Sequence, residues 1–150
     1  MYLITNLIDL NKIYISSDHA GFKLKEKIKS SLKKKKLKIF DLGPSNDNSV
    51  DYPDYAKLLS DKLKNDLNSQ GILFCGTGIG ISMAANRYSH IRAALCTTAE
   101  MASKSRKHNN ANVLALGGRI ITDSLATDIV NEFLNTDFEA GRHSLRVNKI

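Results

Sequence analysis

Apolar residues fall in short blocks along this chain, and two periodicities alternate between them. Residues 12–17, 37–42, 71–74, 91–96 and 113–116 are compact runs of aliphatic and β-branched side chains, bounded by polar or glycine-containing segments. Each reads as a strand. Between them the spacing becomes helical. Leu24, Ile28 and Leu32 form one stripe, and Tyr55, Leu59, Leu63 and Leu67 a second. A third helix opens near Ile79, a fourth covers 99–107, and Leu125, Ile129, Val130, Phe133 and Leu134 stripe the last. Strands alternating with helices build a parallel sheet covered on both faces, with right-handed crossovers. The expected fold is α/β: a three-layer α/β/α, Rossmann-like single domain with a five-stranded parallel sheet.

Composition adjusts this picture only slightly. With 42% hydrophobic and 25% charged residues, the chain has the balance of a soluble globular domain. Two cysteines, Cys75 and Cys96, make no disulfide framework and fit a reducing, cytoplasmic setting. No apolar run reaches spanning length, and the first ten residues lack the basic start of a cleaved signal. The net charge is +7, carried mostly by lysines on helix surfaces. The run Lys33-Lys34-Lys35-Lys36 closes a helix, where cations oppose the negative dipole end. No aromatic residues interleave with it, so neither nucleic acid nor a membrane is an expected partner. A general attraction for small anions remains.

The chemistry collects after the strands. In open α/β sheets, ligands bind outside the carboxyl ends of the strands. Following the five strands here are Asp18-His19, the loop to Asp51-Tyr52-Pro53, Cys75, Thr97-Thr98 and Arg119. The densest signal is Cys75-Gly76-Thr77-Gly78-Ile79-Gly80, a thiol beside a glycine loop that opens a helix. Such a loop turns backbone N–H groups toward one point, and a helix start lowers the pKa of a thiol. No Gly-Lys-Ser/Thr follows, and the G-x-G-x-G spacing after the third strand is a poor dinucleotide fingerprint. Taken alone, the loop also reads as a tight turn between packed elements, and an isolated Cys75 as a small buried hydrophobe, a preference that its place between a strand end and three glycines reverses. Cys96 sits in an apolar run and reads as core. His108 ends the fourth helix, where a dipole partner and a catalytic imidazole are both open readings. Arg142 and Arg146 lie one helical turn apart and suit a phosphate, or form a solvated basic tail. The four histidines show no metal-ligand spacing, so neither a metal site nor a cofactor is expected.

Taken together, these segments resemble the type B ribose-5-phosphate isomerases, which group with the galactose- and allose-6-phosphate isomerases. The matching pieces are Ser17-Asp18-His19-Ala20-Gly21-Phe22, Asp51-Tyr52-Pro53, Cys75 to Ser82, Ala84-Ala85-Asn86-Arg87 and Ile91-Arg92-Ala93-Ala94. Further on come Ser105-Arg106-Lys107-His108-Asn109, the run Asn112 to Arg119, and Glu139-Ala140-Gly141-Arg142-His143. The resemblance covers about residues 12–147, which leaves residues 1–11 as an extension ahead of a domain at 12–150.

The resemblance implies a metal-free interconversion of ribose 5-phosphate and ribulose 5-phosphate through an enediolate. By similarity, Cys75 is the base and Thr77 hydrogen-bonds the reacting oxygens, while N–H groups of Gly76, Gly78 and Gly80 stabilise the oxyanion. It further implies that His108 opens the furanose ring with help from Asp18, that Asn109 holds the intermediate and that Tyr52 lines the pocket. His19, Arg119, Arg142 and Arg146 would grip the phosphate. Topology adds a constraint. His108 precedes the fifth strand at its amino edge, whereas Cys75 ends the third at its carboxyl edge, and a strand is on the order of 17 Å long. One substrate therefore needs His108 and Asn109 from a second chain. That predicts a homodimer with composite sites, with a dimer of dimers open beyond it. The rival functions are a hexose-6-phosphate isomerase and a non-catalytic sugar-phosphate sensor on the same scaffold.

Overall fold

The structure, a computed structural model, describes residues 12–150, so the extension expected at 1–11 lies outside the described residues. Five strands alternate with the helices: β1 (Lys12–Ser17), β2 (Lys38–Asp41), β3 (Gln70–Cys75), β4 (Ala93–Leu95) and β5 (Val113–Gly117). The helices are α1 (Phe22–Lys33), α2 (Tyr52–Asn65), α3 (Ile79–Ala85), α4 (Ala99–Asn109), α5 (Asp123–Asn135) and α6 (Arg142–Val147). The sheet is wholly parallel in the order β2-β1-β3-β5-β4. Strand order reverses beside β1 and β3, which opens a crevice at their carboxyl ends.

Alternation along the strands sorts the core into two layers. Ile13, Ile15, Ile72, Phe74, Leu114 and Leu116 face one side, where the stripes of α1 and α5 and Ala102 of α4 cover them. Leu73, Cys75, Val113 and Ala115 face the other, under Leu59 and Leu63 of α2 and Ile81 and Ala85 of α3. The central strands are apolar on both faces because both faces are covered. Among the described residues, no helix is long and apolar enough to cross a membrane.

Three expectations shift. The fourth strand shortens to three half-buried residues at the sheet edge. Before it, the Arg92 N–H is taken by the Asn112 side chain at 2.7 Å, not by a ladder partner. Leu67 falls beyond α2 and is 78% exposed, since the helix ends at Asn65. Lys25 does not sit on a solvated face. It is fully buried beside Leu24, Ile28 and Leu32, and its Nζ donates to Asp41 Oδ1 at 2.7 Å and to the Pro44 carbonyl at 2.8 Å. That ammonium clips α1 to β2 and to the loop that returns toward the crevice.

Candidate active site

The glycine loop connects β3 to α3, and Cys75 is the last residue of its strand, 4% exposed. The Gly78 N–H donates to Cys75 Sγ at 3.1 Å, which fixes the sulfur against the loop. The glycines do not share one role, as the sequence suggested. Gly78 alone of the three loop glycines is left-handed, at φ +79°, and a Cβ there would lie 2.5 Å from Leu95 Cδ1. Gly80 admits a neighbour instead: its missing Cβ would sit 2.7 Å from Tyr52 Cζ. Thr77 Oγ1 accepts from the Ile79 N–H at 3.2 Å, so the hydroxyl is held against the loop.

Around this loop the sheet edge supplies its other groups. Asp18, 6% exposed, accepts the Gly21 N–H at 2.9 Å, and its own N–H donates to the Phe74 carbonyl at 3.1 Å. Its carboxylate therefore shapes the entry to α1, on the same edge as Cys75. His19 Nδ1 lies 3.2 Å from the Val50 N–H, which ties the ring to the loop ahead of Tyr52. The Arg119 N–H donates to the Gly76 carbonyl at 2.9 Å, and the Gly118 N–H to the Cys75 carbonyl at 2.8 Å. His19, Lys23, Lys27 and Arg119 line a cavity of about 440 Å³.

The remaining predicted residues gather elsewhere. His108 and Asn109 end α4, ahead of β5, and line a second cavity of about 370 Å³ with Arg142, His143 and Arg146. His108 and His143 stack at 4.4 Å between centroids, 13° from parallel. The Glu139 N–H donates to the Lys107 carbonyl at 3.1 Å, which ties the loop before α6 to the last turn of α4. Desolvation, reinforced by His108 and Arg142, holds His143 below the ordinary histidine range. The four groups assigned to phosphate are thus split: His19 and Arg119 on one edge, Arg142 and Arg146 on the other.

One meeting of side chains has no counterpart in linear spacing. His108, Glu139 and His143 carry donor atoms that all lie within 4.8 Å of one another, because α6 folds back onto α4. Lys25 escaped notice as well, although its place three residues before Ile28 and seven before Leu32 sets it on the buried stripe. The Val50 contact to His19 is a backbone interaction and leaves no side-chain signal.

Comparison with known proteins agrees along nearly the whole chain. The Ribose/Galactose Isomerase family model matches residues 13–150. A putative sugar phosphate isomerase of Rickettsia conorii is 49% identical over 138 residues, covering 92% of this chain and 96% of that one. A crystal structure of a ribose 5-phosphate isomerase from Thermotoga maritima superposes with a TM-score of 0.90 at 52% identity, covering 93% and 96% of the two chains. The Mycoplasma genitalium ribose-5-phosphate isomerase B, solved with bound ribulose 5-phosphate, gives 0.88 at 47% identity over 92% of each chain. The chain belongs to the ribose/galactose isomerase family.

Proposed function

We propose that this protein interconverts ribose 5-phosphate and ribulose 5-phosphate, working as a homodimer whose sites are each built from two chains, with the isomerase domain at 12–150 and residues 1–11 outside it. The observation that carries the reading is Cys75 Sγ held at 3.1 Å by the Gly78 N–H, at the lip of a loop of further N–H donors. Starting from the aldose, the Cys75 thiolate takes the proton from C2, the C2–H electrons form the C1–C2 double bond of the enediolate, and the carbonyl pair moves onto O1. The thiol then returns a proton to C1 while the O2–H proton passes to O1, which leaves the ketose carbonyl at C2. Donors of the 76–80 loop offset the charge that develops on oxygen, a contribution of roughly 3–4 kcal/mol for each donor removed.

Ribose 5-phosphate is mostly a furanose, so O1 must lose a proton and the ring oxygen gain one before C2 is acidic. His108 is the group assigned to that transfer, with Asn109 beside it. Two-chain sites are supported by the division of the residues: His108, Asn109, Arg142 and Arg146 surround one cavity, on the opposite sheet edge from Cys75. Arg142 and Arg146 therefore come to each substrate from the chain that brings His108. Binding of ribulose 5-phosphate by the Mycoplasma relative favours a five-carbon substrate over a hexose 6-phosphate. Retention of both Cys75 and His108 favours an enzyme over a sensor.

The test is a side-by-side assay of ribose 5-phosphate, allose 6-phosphate and galactose 6-phosphate with EDTA present. Turnover of the pentose phosphate that is lost in Cys75→Ala is the expected result. Preference for a hexose phosphate, or full activity without the thiol, would overturn the assignment.

A further inference from the structure

His108, Glu139 and His143 bring two imidazoles and a carboxylate to one point, with donor atoms within 4.8 Å of one another. Two nitrogens and one oxygen are the donor set of a borderline transition metal, and three protein ligands leave a fourth position open. The cluster is held from three directions. His108 is fixed in the last turn of α4. The Glu139 backbone is tied to Lys107, and the His143 N–H donates to the Ala140 carbonyl at 3.1 Å. Ala140 and Gly141 between them both adopt positive φ, at 56° and 58°, a tight turn that brings α6 back to α4.

We propose that a zinc-class divalent cation binds His108, Glu139 and His143 and inhibits the enzyme. Binding the metal turns both imidazole edges toward Glu139 and unstacks the histidine pair, since Zn–N and Zn–O bonds are about 2.0–2.2 Å. A His108 nitrogen whose lone pair is on the metal cannot accept a proton from the sugar. The inhibitory half rests on the role given to His108 under the proposed function, whereas the binding half does not. Arg142 and Arg146 oppose a dication here, and Glu139 is the one carboxylate in the cluster to offset them. Removing Glu139 should therefore cost more affinity than the loss of a single neutral ligand. Hard cations such as Mg²⁺ favour oxygen donors and should not compete.

The experiment titrates the full chain with Zn²⁺ by calorimetry, and with Co²⁺ by visible absorption, alongside isomerase assays in both directions. Glu139 is exposed, so Glu139→Gln should fold and keep its basal turnover. The expected result is one Zn²⁺ per chain at micromolar affinity, loss of turnover in parallel, and at least about tenfold weaker binding and inhibition in Glu139→Gln. Equal binding and inhibition in Glu139→Gln would overturn the site. So would a Co²⁺ spectrum with a thiolate charge-transfer band that disappears in Cys75→Ser, which would move the metal to the thiol. Glu139-dependent binding with turnover intact would overturn the inhibition and count against His108 as a catalytic group. A chain with no pentose-phosphate turnover would fail the proposed function, while the Co²⁺ signal still reads the site.

Discussion

The two edges of the sheet hold chemistry of different mechanical character. At the carboxyl edge the groups are strand ends and backbone: Cys75 and Asp18 are buried, and the turns after β3 and β5 bond to each other. At the amino edge the groups are side chains on helix ends, and α6 buries none of its residues. A developing negative charge needs donors that do not reorganise, and the sheet supplies them. The proton shuttle and phosphate clamp proposed for the amino edge tolerate surface positions, provided the proposed second chain closes over them. The exposed Ile150, which lines that second cavity, fits such a closure.

The sharpest way to break this comparison is to disable each edge separately. Cys75→Ala removes the proposed base and should lower kcat by about 10³-fold with little change in KM. His108→Ala should act unequally: strongly on ribose 5-phosphate, whose ring must open, and weakly on ribulose 5-phosphate, which cannot close a furanose through its phosphorylated O5. Mixing the two variants through unfolding and refolding, with turnover read on ribose 5-phosphate, then tests the composite site. Random pairing makes half the dimers mixed, each with one intact site, so about a quarter of wild-type activity should return. No recovery from a mixture shown by mass to contain mixed dimers would place both groups in one chain's site.

Two further substitutions probe how the carboxyl edge is held. Gly78→Ala places a side chain at φ +79° and against Leu95 and Leu116, which should cost about 3 kcal/mol and lower kcat by reshaping the loop. Denaturant midpoints together with kcat separate the two effects. Lys25→Met strips the buried clip from Asp41 and Pro44 and should cost about 3 kcal/mol while changing kcat less. The same cluster sets an acid limit. Burial pushes the Asp41 carboxyl upward, but hydrogen bonds from Lys25, Lys29 and the Gly43 N–H outweigh it and hold the carboxyl below its usual value of 3.8. A carboxylate whose folded pKa is depressed stabilises the fold fully above the unfolded value, and that stability is lost as pH falls through the folded one. Unfolding should therefore steepen below about pH 4, and less so in Asp41→Asn.

Most of the fold was legible because the apolar blocks carry their own period. Every strand and five helices stand where the pattern put them, to within a few residues. The carboxyl-edge groups were equally legible, since each directly follows a strand and topology does the rest. The amino edge was readable only in part. The opposition of His108 to Cys75 follows from strand direction, but the meeting of His108 with Glu139 and His143 depends on a turn through Ala140 and Gly141 that no periodicity announces. Lys25 was misread because a lysine-rich helix hides which lysine lies on the buried stripe.

The smallest effect separates position from environment. Cys96, like Cys75, stands at the carboxyl end of its strand and is buried, yet its surroundings differ. Desolvation pushes its thiol up to about 11, against a weaker opposing hydrogen bond from Ser105. Cys75 instead receives the Gly78 N–H. If the loop and not the strand end makes the reactive thiol, Cys96→Ala should leave kcat within about twofold and cost only ~1 kcal/mol. Iodoacetamide near pH 8 should then label Cys75 in the native protein and Cys96 only after unfolding. Loss of activity in Cys96→Ala without loss of stability would mean that the carboxyl edge reaches as far as β4, and that the thiol's setting matters less than its place on the sheet.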